Sequence, residues 1–270
     1  MKVVYDPICL EYSKNHVEGP YRSEAVSQEL KSSGFHLVRP KPANEKDILL
    51  VHTKEHFERV KSGKYWEEET PVIDIKYPLL AAGAAIEAAK INGFSICRPP
   101  GHHAGKHFLG GFCYFNNIAI AVAKTGKKTA ILDIDIHHGN GTQDIFLGRK
   151  DVLYLSIHES PQYPGTGHVS EKNCFNFPLP SGTKEDTYLK YLQKCIQEIS
   201  KFKPETLAVS IGFDTYCQDR IGNFLLKEES YKKIGQAIRK SNLPTFFVLE
   251  GGYSEDIGKL ALGFIEGFEK

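Results

Sequence analysis

Residues 131–142 read ILDIDIHHGNGT, and from Leu132 to His137 leucine or isoleucine alternates with aspartate or histidine. The apolar residues predict a buried strand, yet Asp133, Asp135 and His137 interrupt it with groups that are costly to remove from water unless something pairs with them. In an extended strand alternate side chains share a face. Asp135 and His137 are therefore expected to point the same way, with Asp133 on that face one step deeper. The glycines of HHGNG are expected to let the chain turn tightly after them.

The flanking sequence supplies the frame. Further strands are predicted at KVVYD (2–6), DILLVH (47–52), FSICRPP (94–100), VLYLSIH (152–158), TLAVSIGFD (206–214) and TFFVLEGG (245–252), besides TAILDIDIH (129–137) itself. Helices are predicted at YRSEAVSQELKSSG, at the Ala-rich YPLLAAGAAIEAAKING, at NNIAIAVAKTG and at DTYLKYLQKCIQEISKF. Gly34, Gly93 and Gly126 stand where a helix end favours a left-handed residue. Near-continuous apolar strands between helices predict a parallel sheet covered on both faces. SGKYWEEETP (62–71) reads as an acidic excursion and not as a linker, so one domain over 1–270 is expected.

Parallel strands put their carboxyl ends on one edge, where open α/β sheets bind ligands. Here those ends are unusually polar: GHH after FSICRPP, His158 after VLYLSI, Asp214 after LAVSIGF, and GGY after FFVLE. Asp135, His137 and Asp214 thus supply two carboxylates and an imidazole, the donor set of an open catalytic zinc or ferrous site. A lone histidine would read as a satisfied core residue; three ionisable groups among isoleucines do not. His102 and His103 suit proton transfer, with Asp133 and Asn140 as partners that orient the rings. Tyr253, after two glycines, is placed to donate its hydroxyl to an oxyanion.

The 270 residues are 41% hydrophobic and 25% charged, with a net charge of +1. That balance argues against disorder and gives no general electrostatic reason to bind nucleic acid or a membrane surface. No signal peptide or membrane-spanning run is read. Cys9, Cys97, Cys113, Cys195 and Cys217 lie in or beside apolar runs, and none of the six cysteines forms a CxxC pair. They are expected to be buried reduced thiols in a cytoplasmic protein.

In their order, RPPGHHAG, GFCYFNN, LDIDIHHGNGTQ, YLSIH, PGTG, IGFD and LEGGY resemble a histone deacetylase-like amidohydrolase, class II-like because position 140 is Asn. NHVEGPYRSEA and VHTKEHFERV match more loosely. The resemblance implies the arginase/deacetylase fold, an open parallel sheet of about eight strands with helices on both faces. It implies zinc, or Fe2+ in vivo, on Asp135, His137 and Asp214. His103 would be general base and acid, His102 with Asp133 an electrostatic partner, and Tyr253 the carbonyl polariser. A potassium ion would touch Asp133, Ser156 and the backbone of Asp135, His137 and Ile157. Phe112 and Tyr163 would wall the channel together with Gly111, Gly251 and Ile221. Expected substrates are acyl-lysine in proteins or peptides, or acetylpolyamines and other small N-acyl amines.

Three departures from the family pattern stand out. The loop from Trp66 to Asp74 is short, leaving Glu68, Glu69 and Asp74 as competitors to grip the substrate backbone. Arg220 replaces a proline at the rim, where its charge is expected to disfavour polyamines mildly. No acidic gatekeeper stands at Ile221. A two-manganese ureohydrolase is the rival enzyme, but it needs Asp-x-His-x-Asp and a second paired aspartate where Tyr216 stands; one metal per chain is expected. A non-enzymatic acyl-lysine binder is expected to have lost Tyr253 or a histidine, and all are present.

Overall fold

The computed structural model describes residues 1–67 and 69–269. In chain order it runs β1 (Lys2–Val4), α1 (Tyr21–Ser32), β2 (His36–Val38), α2 (Glu45–Ile48), α3 (Lys54–Ser62), α4 (Lys76–Ile91), β3 (Phe94–Ser95) and α5 (Asn117–Thr125). There follow β4 (Thr129–Asp133), α6 (Asn140–Phe146), β5 (Val152–Glu159), β6 (Cys174–Leu179), α7 (Glu185–Phe202), β7 (Thr206–Ile211), α8 (Glu228–Arg239), β8 (Thr245–Leu249) and α9 (Ile257–Glu269). The strands form one sheet in the order β2-β1-β3-β8-β7-β4-β5-β6, and every pairing is parallel.

Alternation along each strand divides the core in two. Ala130, Leu132, Val209 and Phe247 face a cluster built with α1, α7, α8 and α9. Ile131, Ala208, Phe246 and Val248 face the Ala-rich α4 and α5 on the other side. Both faces are therefore dry, as near-continuous apolar strands require.

Several local expectations change. DILLVH (47–52) is not a strand. Asn44 and Asp47 form a reciprocal capping box that starts α2, and Leu49 and Leu50 stand partly exposed beyond it. Two edge strands, β2 and β6, lie outside the predicted set. Helix α4 ends on Asn92 in the left-handed conformation, so Gly93 does not serve as the cap; Gly126 does so for α5, and Gly34 is left-handed just past α1. All six cysteines are free, but Cys217 is exposed while the other five are buried. No helix among the described residues is long and apolar enough to cross a membrane.

Leu132 is fully buried in the larger core cluster. Leu132→Ala is expected to lower the unfolding free energy by about 2–5 kcal/mol, read by urea denaturation; a loss below about 1 kcal/mol would show that this face is loosely packed.

Candidate metal centre and catalytic pocket

Strand β4 stops at Asp133, earlier than the sequence suggests, and residues 135–137 form a bend. Asp135 and His137 are therefore brought together by that bend and not by strand alternation. Asp135 Oδ1 accepts from the backbone N–H of His137 at 2.9 Å and lies 2.9 Å from its Nδ1. Asp214, three residues past β7, meets them because β7 is the neighbour of β4, with Ser210 in register with Asp133. Its Oδ2 lies 3.2 Å from His137 Nδ1, and its Oδ1 accepts from Ile136 N at 2.9 Å. One donor atom from each of the three residues lies within 4.8 Å of the other two.

This set fits a divalent cation. Asp214 Oδ2 is buried without a hydrogen-bond partner, despite its closeness to the imidazole. A Cβ on Gly251 would stand 2.1 Å from that oxygen, and one on Gly212 would stand 2.2 Å from Asp135 Oδ2. Glycine at both places lets the carboxylates converge. Electrostatics point the same way. Burial and the Asp135 charge push Asp214 up to about 7. Burial opposes the imidazolium of His137, but the adjacent carboxylates of Asp135 and Asp214 outweigh it and raise its pKa to about 10. Asp135 is held well below the usual carboxylate range, burial being overcome by His102 and His137. The two carboxylates titrate as a pair, since both cannot be ionised here without a neighbouring positive charge.

The histidine turn follows β3, two strands away across β8. His102 Nδ1 donates to Asp133 Oδ2 at 3.1 Å, and Tyr154 donates its hydroxyl to the same oxygen at 3.0 Å. Burial disfavours the His102 cation, but Asp133 and Asp135 prevail and push it up to about 10. His103 behaves oppositely: burial, His102 and His137 hold it well below the ordinary histidine value, so it is neutral. Its Nδ1 is 2.8 Å from Asn140 Oδ1, an acceptor, which puts the proton on Nδ1 and leaves the Nε2 lone pair free. Gly139, at φ -74°, needs no left-handed conformation for the chain to turn into α6. Crowding requires the glycine instead: a Cβ there would stand 2.2 Å from Asp133 Oδ2.

Tyr253 follows β8. Its ring lies under the Arg22 guanidinium at 4.7 Å, and its carbonyl accepts from Tyr21 at 2.9 Å. Burial raises its hydroxyl well above the ordinary tyrosine value, keeping it a donor. Arg22 also donates to the carbonyls of Gly252 and Glu250, and it shares the Glu18 carboxylate with Arg98 in a buried network. Glu250 itself is fully buried; its carboxylate accepts from the backbone of Gly101 and His102 and from Ser210, tying the histidine turn to the end of β8. None of Glu18, Arg22, Arg98, Tyr154 and Glu250 was anticipated. Glu250 lay in sight within LEGGY, and Arg22 within NHVEGPYRSEA.

A cavity of about 210 Å3 descends to these groups. Phe112, Tyr163, Gly111, Gly251 and Ile221 line it as expected positions of the channel, with His102, His103, His137 and Tyr253 lower down. Pro100 and Gln162 join them without having been anticipated. Of the acidic competitors, Glu69 lines the cavity, Asp74 accepts instead from Lys76 N at the start of α4, and Glu68 lies outside the described residues. Arg220 is outside the lining and pairs with Glu255 at 3.0 Å, both side chains being exposed. Asp133 and Ser156 are register neighbours and, with Ile157, fully buried, though the Ser156 hydroxyl is 2.9 Å from His158 Nδ1.

Residues 16–264 match the histone deacetylase domain. The chain belongs to the histone deacetylase family. Acetylpolyamine amidohydrolase 2 of Pseudomonas aeruginosa is 46% identical over 191 residues, 65% of this chain and 56% of that protein. The chain thus spans little more than half the length of that relative. A protein named "Probable deacetylase" from Methanothermobacter thermautotrophicus is 34% identical, covering 100% of this chain and 91% of its own. The crystal structure of the HDA15 HD domain superposes with a TM-score of 0.92 at 30% identity, over 100% of this chain and 91% of that one. The family and the fold agree with the sequence reading.

Metal uptake should expel the proton that His137 holds at neutral pH, and part of one from Asp214. Zinc affinity is therefore expected to rise with pH between about 6 and 8, by roughly tenfold or more per unit, in competition titrations. A pH-independent affinity would remove these ligands from consideration. Asp214→Ala should weaken zinc binding by roughly a hundredfold or more, since partners that only orient metal ligands already contribute about 10–100-fold.

Proposed function

We propose that this protein is a zinc-dependent amidohydrolase that removes an acetyl or acyl group from the ε-amine of lysine or from a similar N-acyl amine. The observation that carries the proposal is that one cavity is lined by His137, a member of a buried three-residue ligand set with Asp135 and Asp214, together with His103 and Tyr253. Asp135, His137 and Asp214 would hold the cation. That ion would supply a Lewis acid for the amide carbonyl and lower the proton affinity of water. A potassium ion beside Asp133 and Ser156, reached by the backbone of Asp135, His137 and Ile157, belongs to the same reading; the burial of these residues and the register of β4 with β5 support it.

The remaining steps belong to side chains. His103 Nε2 takes the proton of the attacking water, while Asn140 fixes the tautomer. The cationic His102 behind it depresses its basicity, so the proton, once taken, is readily handed to the leaving amine. Tyr253 donates to the oxygen where negative charge develops. Phe112 and Tyr163 flank a passage suited to an unbranched alkyl chain, and Phe112 meets the Tyr253 ring edge-on at 6.0 Å.

A polyamine carrier is the second reading. The carboxylate of Glu69 in the cavity lining favours a cationic carrier, and the curated relative of highest identity reported above is named for acetylpolyamine. Turnover of N-acetylated polyamines and of acetyl-lysine peptides by the zinc-loaded protein, with and without chelator, distinguishes the two. No turnover of either would overturn the proposal.

Losing one oxyanion donor costs roughly 3–4 kcal/mol of barrier. Tyr253→Phe is thus expected to lower kcat by about 10²–10³-fold with its zinc content intact. His103→Ala should lose at least as much. Near-normal turnover in either variant would remove that residue from the chemistry.

A further inference from the structure

We infer that Asp219 is a positioning residue that latches Tyr253 over the metal centre and couples that tyrosine to the wall of the substrate cavity; this rests on the proposed role of Tyr253. Asp219 lies five residues past Asp214 in the segment CQDRIG. Its Oδ1 accepts from the backbone N–H of Ile221 at 2.9 Å and of Gly222 at 3.2 Å, an ordinary aspartate turn. Its Oδ2 does something a turn does not need. It reaches across to the backbone N–H of Tyr253, 34 residues away, at 2.6 Å. A bond this short to a carboxylate is charge-assisted and directional. The neighbouring cation, Arg220, is turned away to Glu255, so the Asp219 charge is spent on backbone donors.

Both ends of this latch bear on the site. On one side, Ile221 lines the cavity, and a Cβ on Gly222 would stand 1.9 Å from the carbonyl oxygen of Asp214, so the turn is pressed onto a metal ligand's backbone. On the other, Tyr253 follows Gly251 and Gly252, the latter at φ +111°. A chain with two glycines before the donor has wide backbone freedom. Three restraints remove it: Arg22 against the ring, Tyr21 on the carbonyl and Asp219 on the N–H. Of the three, Asp219 alone belongs to the turn that carries Ile221 into the cavity lining. A side chain seated against Ile221 is thereby linked through one carboxylate to the oxyanion donor.

Asp219→Asn separates the latch from the turn. The amide oxygen keeps the bonds to Ile221 and Gly222, while its NH2 faces the Tyr253 N–H and cannot accept from it. We expect kcat to fall about ten- to a hundredfold, as for a small misplacement of a reacting group, with KM within about twofold and zinc content and melting temperature near wild type. In the Tyr253→Phe background, Asp219→Asn should add no more than about a twofold loss, because residues acting as a unit are non-additive. Wild-type kcat in Asp219→Asn, or a further tenfold loss in the double variant, would overturn the latch. A second measurement is independent of turnover. With 3-fluorotyrosine at position 253, the 19F resonance should be single and sharp in the wild type and broadened or split in Asp219→Asn; an unchanged resonance would also overturn it. Failure of the wild type to hydrolyse any N-acyl amine would instead refute the enzymatic proposal and leave the fluorine result to decide the latch.

Discussion

Two carboxylates and an imidazole held within 4.8 Å of one another, out of water, are the constraint around which this fold is arranged. Burying such a cluster is expensive unless positive charge arrives to balance it. The sheet makes the meeting possible: β7 and β4 are neighbours, so Asp214 and the Asp135–His137 bend emerge side by side. The strands next along that edge, β8 and β3, deliver Tyr253 and the tandem histidines. Four adjacent strand ends thus contribute the metal-ligand set, the tandem histidines and Tyr253, and the helices keep the two faces of the sheet dry.

The two histidines show how environment divides identical side chains. Burial disfavours the cation on both rings; Asp133 and Asp135 overcome it at His102, whereas His102 and His137 add to it at His103. One ring becomes a fixed positive charge and the other an available base, from adjacent positions on a single turn. Glu250, itself fully buried, grips the backbone of that turn. Arg22 and Arg98, sharing Glu18, brace the segment that leads to Tyr253. The candidate catalytic residues are thus carried on loops, but on loops whose backbones are anchored by buried charge.

Much of this was legible in the sequence because parallel strands buried on both faces must be apolar, so charged strand ends stand out. Asp135, His137, Asp214, His102, His103 and Tyr253 were visible on those grounds. What hid was of another kind. β6 contains Pro178 and lies at the sheet edge, where a missing N–H is tolerated but the sequence signal is lost. DILLVH imitated a strand because a capping box four residues wide outweighs an apolar run. The choice of Glu69 over Asp74 at the cavity, and the reach of Asp219 to Tyr253, depend on how loops far apart in sequence fold over one another. No local pattern encodes that.

The glycines beneath the metal site carry a consequence for redesign. At positions 212 and 251 the space of a first side-chain carbon is already taken by carboxylate oxygens. The floor of the pocket therefore has no room in which variation could alter selectivity. Diversity in what this scaffold accepts must enter from above, at Glu69, Gln162, Tyr163 and Ile221, where the walls open to solvent. Larger side chains are shut out at those two glycines, and variety is left to the entrance.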